Sequence, residues 1–133
     1  MDRWISDRLG HSVYNPNVES DTILSRVLPN GNFRLLKTQD LARYIVIVRD
    51  LIDRDIQEIA QRTDYVICNW DESAQRGAGT KGEVTMARYT GKPVYLVTEM
   101  NHQDIPGWVL GCATKIFGSF DELREFLLQE YAQ

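Results

Sequence analysis

An excess of positive charge, a long apolar run and a cysteine pattern are all missing from this sequence. Its 133 residues include 15 Lys and Arg against 19 Asp and Glu, which gives a formal net charge of −4. Since no basic surface is available to neutralise phosphates, we expect no duplex nucleic acid as a partner. No stretch approaches the roughly 20 apolar residues of a membrane span. We therefore expect no membrane partner and a cytoplasmic location.

Cysteine and histidine each occur only twice. Cys68 lies in an apolar run and Cys112 among small residues, and their spacing matches neither a zinc site nor a disulfide framework. Two reduced structural thiols are the simplest interpretation. His11 and His102 stand alone in predicted loops. We therefore expect no bound metal and no cofactor.

The first half of the sequence has only one strong pattern. Apolar residues recur at three- and four-residue steps from a predicted N-cap at Thr38 to about Arg62, which predicts a long amphipathic helix. Before it we predict a short helix over residues 2–10 and a brief β-like run at 11–14. Residues 17–38 are poorly patterned and are interpreted as a surface excursion.

The second half alternates short apolar runs with helical patterns. Strands are predicted at residues 65–70, 93–98 and 115–117, with a helix over 80–89 between the first two. A last helix begins at Ser119, with Glu122 completing a capping box. Its predicted buried stripe comprises Leu123, Phe126, Leu127 and Tyr131.

This order of elements predicts the fold class. The 65–70 run is apolar without alternation, which is typical of a central parallel strand. Strands joined through helices favour one α/β domain over residues 1–133, a small doubly wound parallel sheet flanked by helices, of the Rossmann or flavodoxin-like type.

Ligands of such sheets bind beyond the carboxyl ends of the strands. The loop after the first predicted strand contains three glycines and leads into a helix at Gly79 and Thr80, whose first N–H groups suit a phosphate or a sugar hydroxyl. A plain tight turn fits this loop equally well. Glu83 falls in the first turn of that helix, either facing the ligand or only complementing the helix dipole.

Three residues at the end of the first predicted strand are further candidates for ligand contacts: Asn69, Trp70 and Asp71. Trp70 either stacks on a base or packs in the core, as the other two tryptophans are expected to do.

Asp55 is an independent candidate on the long helix. At about 100° per residue it points into the same sector as Val48, Ile52 and Ile59, whereas Asp50 points to the opposite side. A carboxylate on a buried face is costly unless it is paired or functional, and burial raises its pKa. A satisfied core aspartate that caps a loop is the alternative. Two carboxylates near one strand end suit glycosidic chemistry.

Several motifs together resemble the nucleoside 2-deoxyribosyltransferase family. They are the aspartate at position 55, the Asp-led apolar run at 64–69, Gly-Thr-Lys-Gly-Glu at 79–83, Gly-Lys-Pro-Val at 91–94 and the segment 116–123. The combination of Gly-Thr-x-x-Glu with Gly-Lys-Pro-Val is fairly specific, and the likeness covers most of the chain. The sequence lacks the strand and small-residue loop with which relatives begin.

The resemblance implies an activity and a set of roles. Glu83 would attack the anomeric carbon of a nucleoside or nucleotide, Asp55 would assist at the sugar or base, and Gly79 and Thr80 would shape the pocket. Asp104 lies near the position from which relatives reach into a neighbouring subunit, which implies a homodimer or larger homo-oligomer. Arg76 stands where relatives often have an aspartate, which favours a phosphate-bearing substrate.

Two other functions compete with this one. A non-catalytic nucleotide-binding module would keep the fold without the chemistry. A nucleotide phosphoribohydrolase of the lysine-decarboxylase-like type shares the Gly-x-Gly-Thr-x-x-Glu run, but the residues at 75–78 fit its usual Pro-Gly-Gly poorly.

Overall fold

The structure, a computed structural model, describes residues 1–28, 32–76 and 78–131, except for the side chain of Arg76. The strands are β1 (Val66–Asn69), β2 (Val94–Val97) and β3 (Lys115–Phe117). The α-helices are α1 (Asp2–Leu9), α2 (Pro16–Val27), α3 (Phe33–Gln39), α4 (Leu41–Arg62), α5 (Glu72–Arg76), α6 (Gly79–Tyr89), α7 (Gly107–Cys112) and α8 (Phe120–Tyr131), and a 3₁₀ helix covers His102–Asp104.

The three strands form one open parallel sheet in the order β1-β2-β3. Val66 is in register with Val94, and Leu96 with Ile116. All four residues of β2 are buried, so β2 is the central strand of the described sheet. The prediction that residues 65–70 form a central strand is wrong for this sheet, because β1 lies at its edge. The run is apolar because helices cover both of its faces.

Helices pack on both sides of the sheet. On one side, Ile59 of α4, Val84 of α6 and Val109 of α7 share a core with Cys68 and Leu96 of the strands. On the other side, α8 and α1 pack against the alternate residues of the same strands. The prediction of an α/β domain with a parallel, helix-flanked sheet is confirmed. The strand order follows the chain without reversal, so the described strands do not include the switch point of a doubly wound sheet.

Helix α8 closes the second face as its sequence pattern predicts. Leu123 and Leu127 are fully buried, and Phe126 and Tyr131 pack beside them. The backbone N–H of Glu122 donates to Oγ of Ser119, while the Glu122 carboxylate accepts from the N–H of Gly118. The predicted capping box is therefore present, except that the Glu122 carboxylate binds the N–H of Gly118 and not the N–H of the N-cap residue Ser119.

Helix α4 begins two residues later than predicted. Its N-cap is Asp40, whose Oδ1 accepts from the N–H of Arg43, whereas Thr38 belongs to α3 and donates to the carbonyl of Leu35. Both residue types cap helices well, so the sequence pattern alone did not separate them.

The predicted surface excursion at 17–38 contains two helices, α2 and α3. Each is preceded by an N-cap asparagine, Asn15 or Asn32, whose side chain accepts from a backbone N–H two residues later. Neither helix buries a residue fully, so no apolar stripe marked them in the sequence. Residues 29–31 of this segment lie outside the described residues.

The β-like run at 11–14 is not a strand. It has no ladder partner among the described residues, and its contacts are made by side chains. Nδ1 of His11 lies 2.7 Å from the hydroxyl of Tyr65 on the α8 side, and Tyr14 contacts α4. Short helices α5 and α7 likewise occupy segments in which no helix was predicted, because helices of five or six residues leave little periodic signal.

Candidate active site

Glu83 lies in the second turn of α6, on the side that faces α4 and β1. Its carboxyl group is half-buried, and loss of solvation together with the nearby charge of Asp55 raises its pKa from 4.5 to about 7. Near neutral pH this carboxyl group is therefore divided between its acid and its ionised form. Such a group exchanges protons readily at physiological pH.

Asp55 approaches Glu83 from α4. It is half-buried, whereas Asp50 and Asp53 of the same helix are exposed. Burial raises the pKa of Asp55, and a hydrogen bond from Tyr14 opposes that rise. Ile52, which the sequence placed at the centre of the buried stripe, is 51% exposed, so the buried face of α4 is rotated toward Asp55 and away from Ile52.

Tyr14 is a site residue that was not selected from the sequence. Its hydroxyl donates to Oδ1 of Asp55 over 2.8 Å. Burial, followed by this hydrogen bond and the charge of Asp55, raises the pKa of Tyr14 well above its ordinary value, so the hydroxyl keeps its proton. Tyr14 lies in an irregular segment without periodicity, so no sequence pattern selected it.

Cys68 of β1 forms the floor of this site. It is buried, and burial together with the charge of Glu83 raises the pKa of its thiol to about 12. The thiol is therefore protonated and a poor nucleophile at neutral pH. The reactive groups of the site are the two carboxyl groups, held between α4, α6 and the carboxyl end of β1.

The start of α6 offers backbone donors beside these carboxyl groups. Its N-cap, Ala78, supplies no side-chain hydrogen bond, so the first N–H groups have no side-chain acceptor in the described part of the chain. A Cβ atom built on Gly79 meets no atom within 4 Å. Gly79 and the half-buried Thr80 thus border open space into which a ligand oxygen can come close to the backbone.

A cleft of about 460 Å³ opens at the carboxyl ends of the strands. Its lining includes Asn69 at the end of β1, Trp70 and Asp71 after that strand, Glu99 after β2, and Phe120 at the start of α8. The cleft is large enough for a small ligand. Neither Glu83 nor Asp55 is part of its lining, so the predicted site residues fall into two groups.

Trp70 and Asp71 serve structure in ways the sequence left open. Trp70 is 1% exposed and packs in the core, so its ring offers no open face for stacking on a base. Its indole N–H has no hydrogen-bond partner among the described residues. Oδ1 of Asp71 accepts from Oγ of Ser73 and the N–H of Ala74, and these bonds lower the pKa of Asp71. Asp71 is therefore the cap of α5.

Asp104 and Arg76 are the two remaining candidates. Asp104 is exposed in the 3₁₀ helix, and its backbone carbonyl accepts from the side chain of Gln75 over 2.7 Å. This bond ties the loop after β2 to α5. The side chain of Arg76 lies outside the described residues, so its expected contact with a phosphate stays a prediction.

Comparisons with protein-family models, with curated proteins and with solved structures gave no match. The resemblance to nucleoside 2-deoxyribosyltransferases therefore rests on the motifs quoted above. Across the described residues, no helix combines the length and apolar character needed to cross a bilayer. No group of three or more His, Cys, Asp or Glu residues in those same ranges is placed to hold a metal ion.

Proposed function

We propose that this chain cleaves or transfers the N-glycosidic bond of a (deoxy)nucleoside or nucleoside monophosphate. In this proposal its fold is the nucleoside deoxyribosyltransferase type of Rossmann-like domain. The supporting observation is that Glu83 and Asp55, which are distant in sequence, converge at one strand end, and both have raised pKa values. Two carboxyl groups in such an arrangement are the usual equipment for glycosidic chemistry.

Glu83 is the nucleophile of the proposed reaction. One oxygen of its carboxylate bonds to C1′ of the sugar as the bond from C1′ to the base nitrogen breaks. The electron pair of that bond goes to the base nitrogen, which takes up a proton. Water or the nitrogen of a second base then attacks C1′ and releases Glu83, so hydrolysis and transfer differ only in the acceptor.

Asp55 is the proton donor or sugar-binding partner in this reaction. Tyr14 holds Oδ1 of Asp55, and no described group donates to Oδ2, so one oxygen of Asp55 is available to a substrate. The raised pKa of Asp55 favours its protonated form more than that of an ordinary aspartate. A carboxyl group of this kind can protonate a departing base.

The surrounding elements supply binding groups. The N–H groups at the start of α6, near Gly79 and Thr80, suit the hydroxyl groups of a sugar or a phosphate. The cleft beyond Asn69 and Phe120 offers polar and aromatic contacts for the remainder of the ligand. We expect the nucleoside to lie across the carboxyl end of β1, from one group of residues to the other.

A non-catalytic nucleotide-binding module is the second candidate. The observation in its favour is that neither Glu83 nor Asp55 lines the cleft. A ligand bound in the cleft alone would not touch the two carboxyl groups, and binding without bond cleavage would result.

The deciding experiment measures base release. The protein is incubated with deoxynucleosides, ribonucleosides and their monophosphates, with and without a second free base, and the products are separated by chromatography. We expect release that is abolished by Glu83→Gln and retained by Glu125→Gln, a matched change on the exposed face of α8. A quenched reaction should contain protein whose mass is increased by one glycosyl group on the peptide that carries Glu83.

Exchange of one base for another would identify a transferase. Release of the base without any exchange would identify a hydrolase. Nucleotide binding by the folded protein without release from any substrate would contradict the proposal and support the binding module.

A further inference from the structure

Trp108 lies on the surface of α7, so the expectation that it packs in the core is wrong. It is 68% exposed, and Tyr89 at the end of α6 is 85% exposed. Tryptophan is highly buried on average in folded proteins, and exposed aromatic rings are enriched where proteins bind one another. The position of Trp108 therefore calls for an explanation other than core packing.

A hydrogen bond holds the ring of Trp108 against α6. The indole N–H donates to Oγ1 of Thr85 over 2.7 Å, and that hydroxyl in turn donates to the carbonyl of Lys81 over 2.6 Å. Thr85 and Tyr89 are four residues apart on α6, so Tyr89 lies on the helical face that the indole contacts. An aromatic side chain fixed in this way binds a partner with little further loss of conformational entropy.

The charges on this face of α6 are positive. Lys81 lies four residues before Thr85 and Arg88 three residues after it, which places both on the same face as Thr85. Neither cation takes part in an ion pair with any residue that the structure describes. The one acidic residue in the sequence of α6 is Glu83, which faces α4 and β1, and the sequence of α7 contains no charged residue. The two cations are therefore available to a partner.

We infer that the face defined by Lys81, Thr85, Arg88, Tyr89 and Trp108 is a docking surface for an acidic segment of a partner protein. Carboxylates of the segment pair with the two cations, and an apolar residue between them packs on the indole. A nucleic-acid strand would extend beyond the two cations over a protein of net charge −4, whereas a short segment carries its charges only where the cations lie. The inference does not depend on the proposed chemistry.

The spacing of the two cations predicts the spacing of the carboxylates. Lys81 and Arg88 are seven residues apart, which is about 10 Å along an α-helix. A polyproline II segment has three residues per turn and rises about 3.1 Å per residue, so its residues i and i+3 point to the same side about 9 Å apart. Proline-rich segments of this conformation dock on exposed aromatic rings. The segment therefore carries acidic residues at i and i+3 with proline between them.

An NMR titration of the full chain, labelled with ¹⁵N, tests this inference with a peptide of four Glu-Pro-Pro units. The indole N–H signal of Trp108, assigned by its loss in Trp108→Phe, should shift together with the backbone signals of Arg88 and Tyr89. A peptide of four Gln-Pro-Pro units should bind about tenfold more weakly, because it has the same conformation without the charges. Added salt should weaken binding of the acidic peptide and leave that of the neutral one unchanged.

Variants separate the contributions of charge and ring. Arg88→Glu should weaken binding of the Glu-Pro-Pro peptide about tenfold, and Trp108→Ala should abolish it, while Trp108→Phe should retain part of it. Arg34→Glu makes the same change of charge at an exposed position of α3 and should leave the affinity within about twofold of the wild type. Circular dichroism and thermal unfolding of each variant show whether it is folded.

Four results would overturn the inference. They are no binding of the Glu-Pro-Pro peptide by the folded wild type, binding that is insensitive to Arg88→Glu or to Trp108→Ala in a folded variant, tighter binding of a single-stranded oligouridylate, and a wild-type dimer in sedimentation velocity that Trp108→Ala dissociates. In the last case a second copy of the chain would cover this face in place of an acidic segment.

Discussion

The hydroxyl of Tyr14 donates to Oδ1 of Asp55 over 2.8 Å and ties the irregular segment before α2 to the middle of α4. This contact places a neutral donor on one oxygen of a carboxyl group whose partner, Glu83, lies on α6. Three segments far apart in sequence therefore control the ionisation of one pair of carboxyl groups. Their protonation can be measured independently of any substrate.

Tyr14→Phe should raise the pKa of Asp55. The hydrogen bond from Tyr14 lowers that pKa against the effect of burial, and phenylalanine keeps the ring without the donor. We also expect a loss of about 1 kcal/mol in the free energy of unfolding. The measurement is a carbon-detected NMR titration of the aspartate carboxyl groups, with chemical denaturation alongside. Tyr89→Phe is the matched control, and an Asp55 pKa unchanged by Tyr14→Phe would contradict the assigned contact.

The pH dependence of base release should distinguish the roles of Glu83. As a nucleophile it must be ionised, so kcat/KM should rise with pH through about 7, which is its pKa in the folded protein. Asp55→Asn removes the negative charge that raises this pKa, so the rising limb should move to lower pH in whatever activity remains. If kcat/KM instead fell as the pH rose through about 7, Glu83 would be the proton donor.

Stability should depend on pH through Glu83. Its pKa is 4.5 in an unfolded chain and about 7 in the fold, so the folded state binds the extra proton between these values. The favourable contribution of Glu83 to the free energy of unfolding is therefore greatest below about pH 4.5 and is lost as the pH rises to about 7. Glu83→Gln should leave stability unchanged at pH 4 and increase it at pH 8 by an amount on the order of 1 kcal/mol. Urea titrations at both pH values provide the measurement, with Glu125→Gln expected to show no such difference.

Neither cysteine should react in the folded protein. Cys68 and Cys112 are both buried, and the pKa of the Cys68 thiol is raised to about 12. Ellman's reagent at pH 8 should therefore detect almost no thiol in buffer and two thiols per chain after denaturation in guanidinium chloride. Rapid labelling of Cys68 in the native state would contradict its burial beneath α6.

Leu123→Ala should destabilise the α8 face by about 2–5 kcal/mol, because Leu123 is fully buried against the sheet and alanine would leave a cavity. Leu35→Ala, at a position 48% exposed on α3, is the matched control and should cost well under half as much. Equal losses in thermal or urea unfolding would show that the two leucines do not differ in burial as described.

Much of the second half of the chain was predictable because its signals are local. Strand β3 agrees residue for residue with the prediction, and Leu123 and Leu127 of α8 are buried as their spacing indicates. Helix α2 was missed because it lacks such a local signal. It is stabilised by the Asn15 cap and buries no residue fully, so no apolar periodicity marks it.

The candidate site was predictable only in part. Periodicity selected Asp55 and the loop pattern selected Glu83, but neither signal shows that the charge of one raises the pKa of the other. Trp70 looked suited to stacking because it ends a strand, yet it is fully buried in the core. Tyr14 carries no local signal, since its importance comes from a contact with a residue in another element.

The sequence by itself determined the class of fold, the helices and strands with strong patterns, and the chemistry present in the loop before α6. These properties depend on neighbours along the chain, at spacings of two to four residues. Only the tertiary structure decided that β1 is an edge strand, that Tyr14 holds Asp55, and that burial together with the charge of Asp55 raises the pKa of Glu83 to about 7. These properties depend on distances between segments and on the loss of water around them, which arise when α4 and α6 pack together over the sheet.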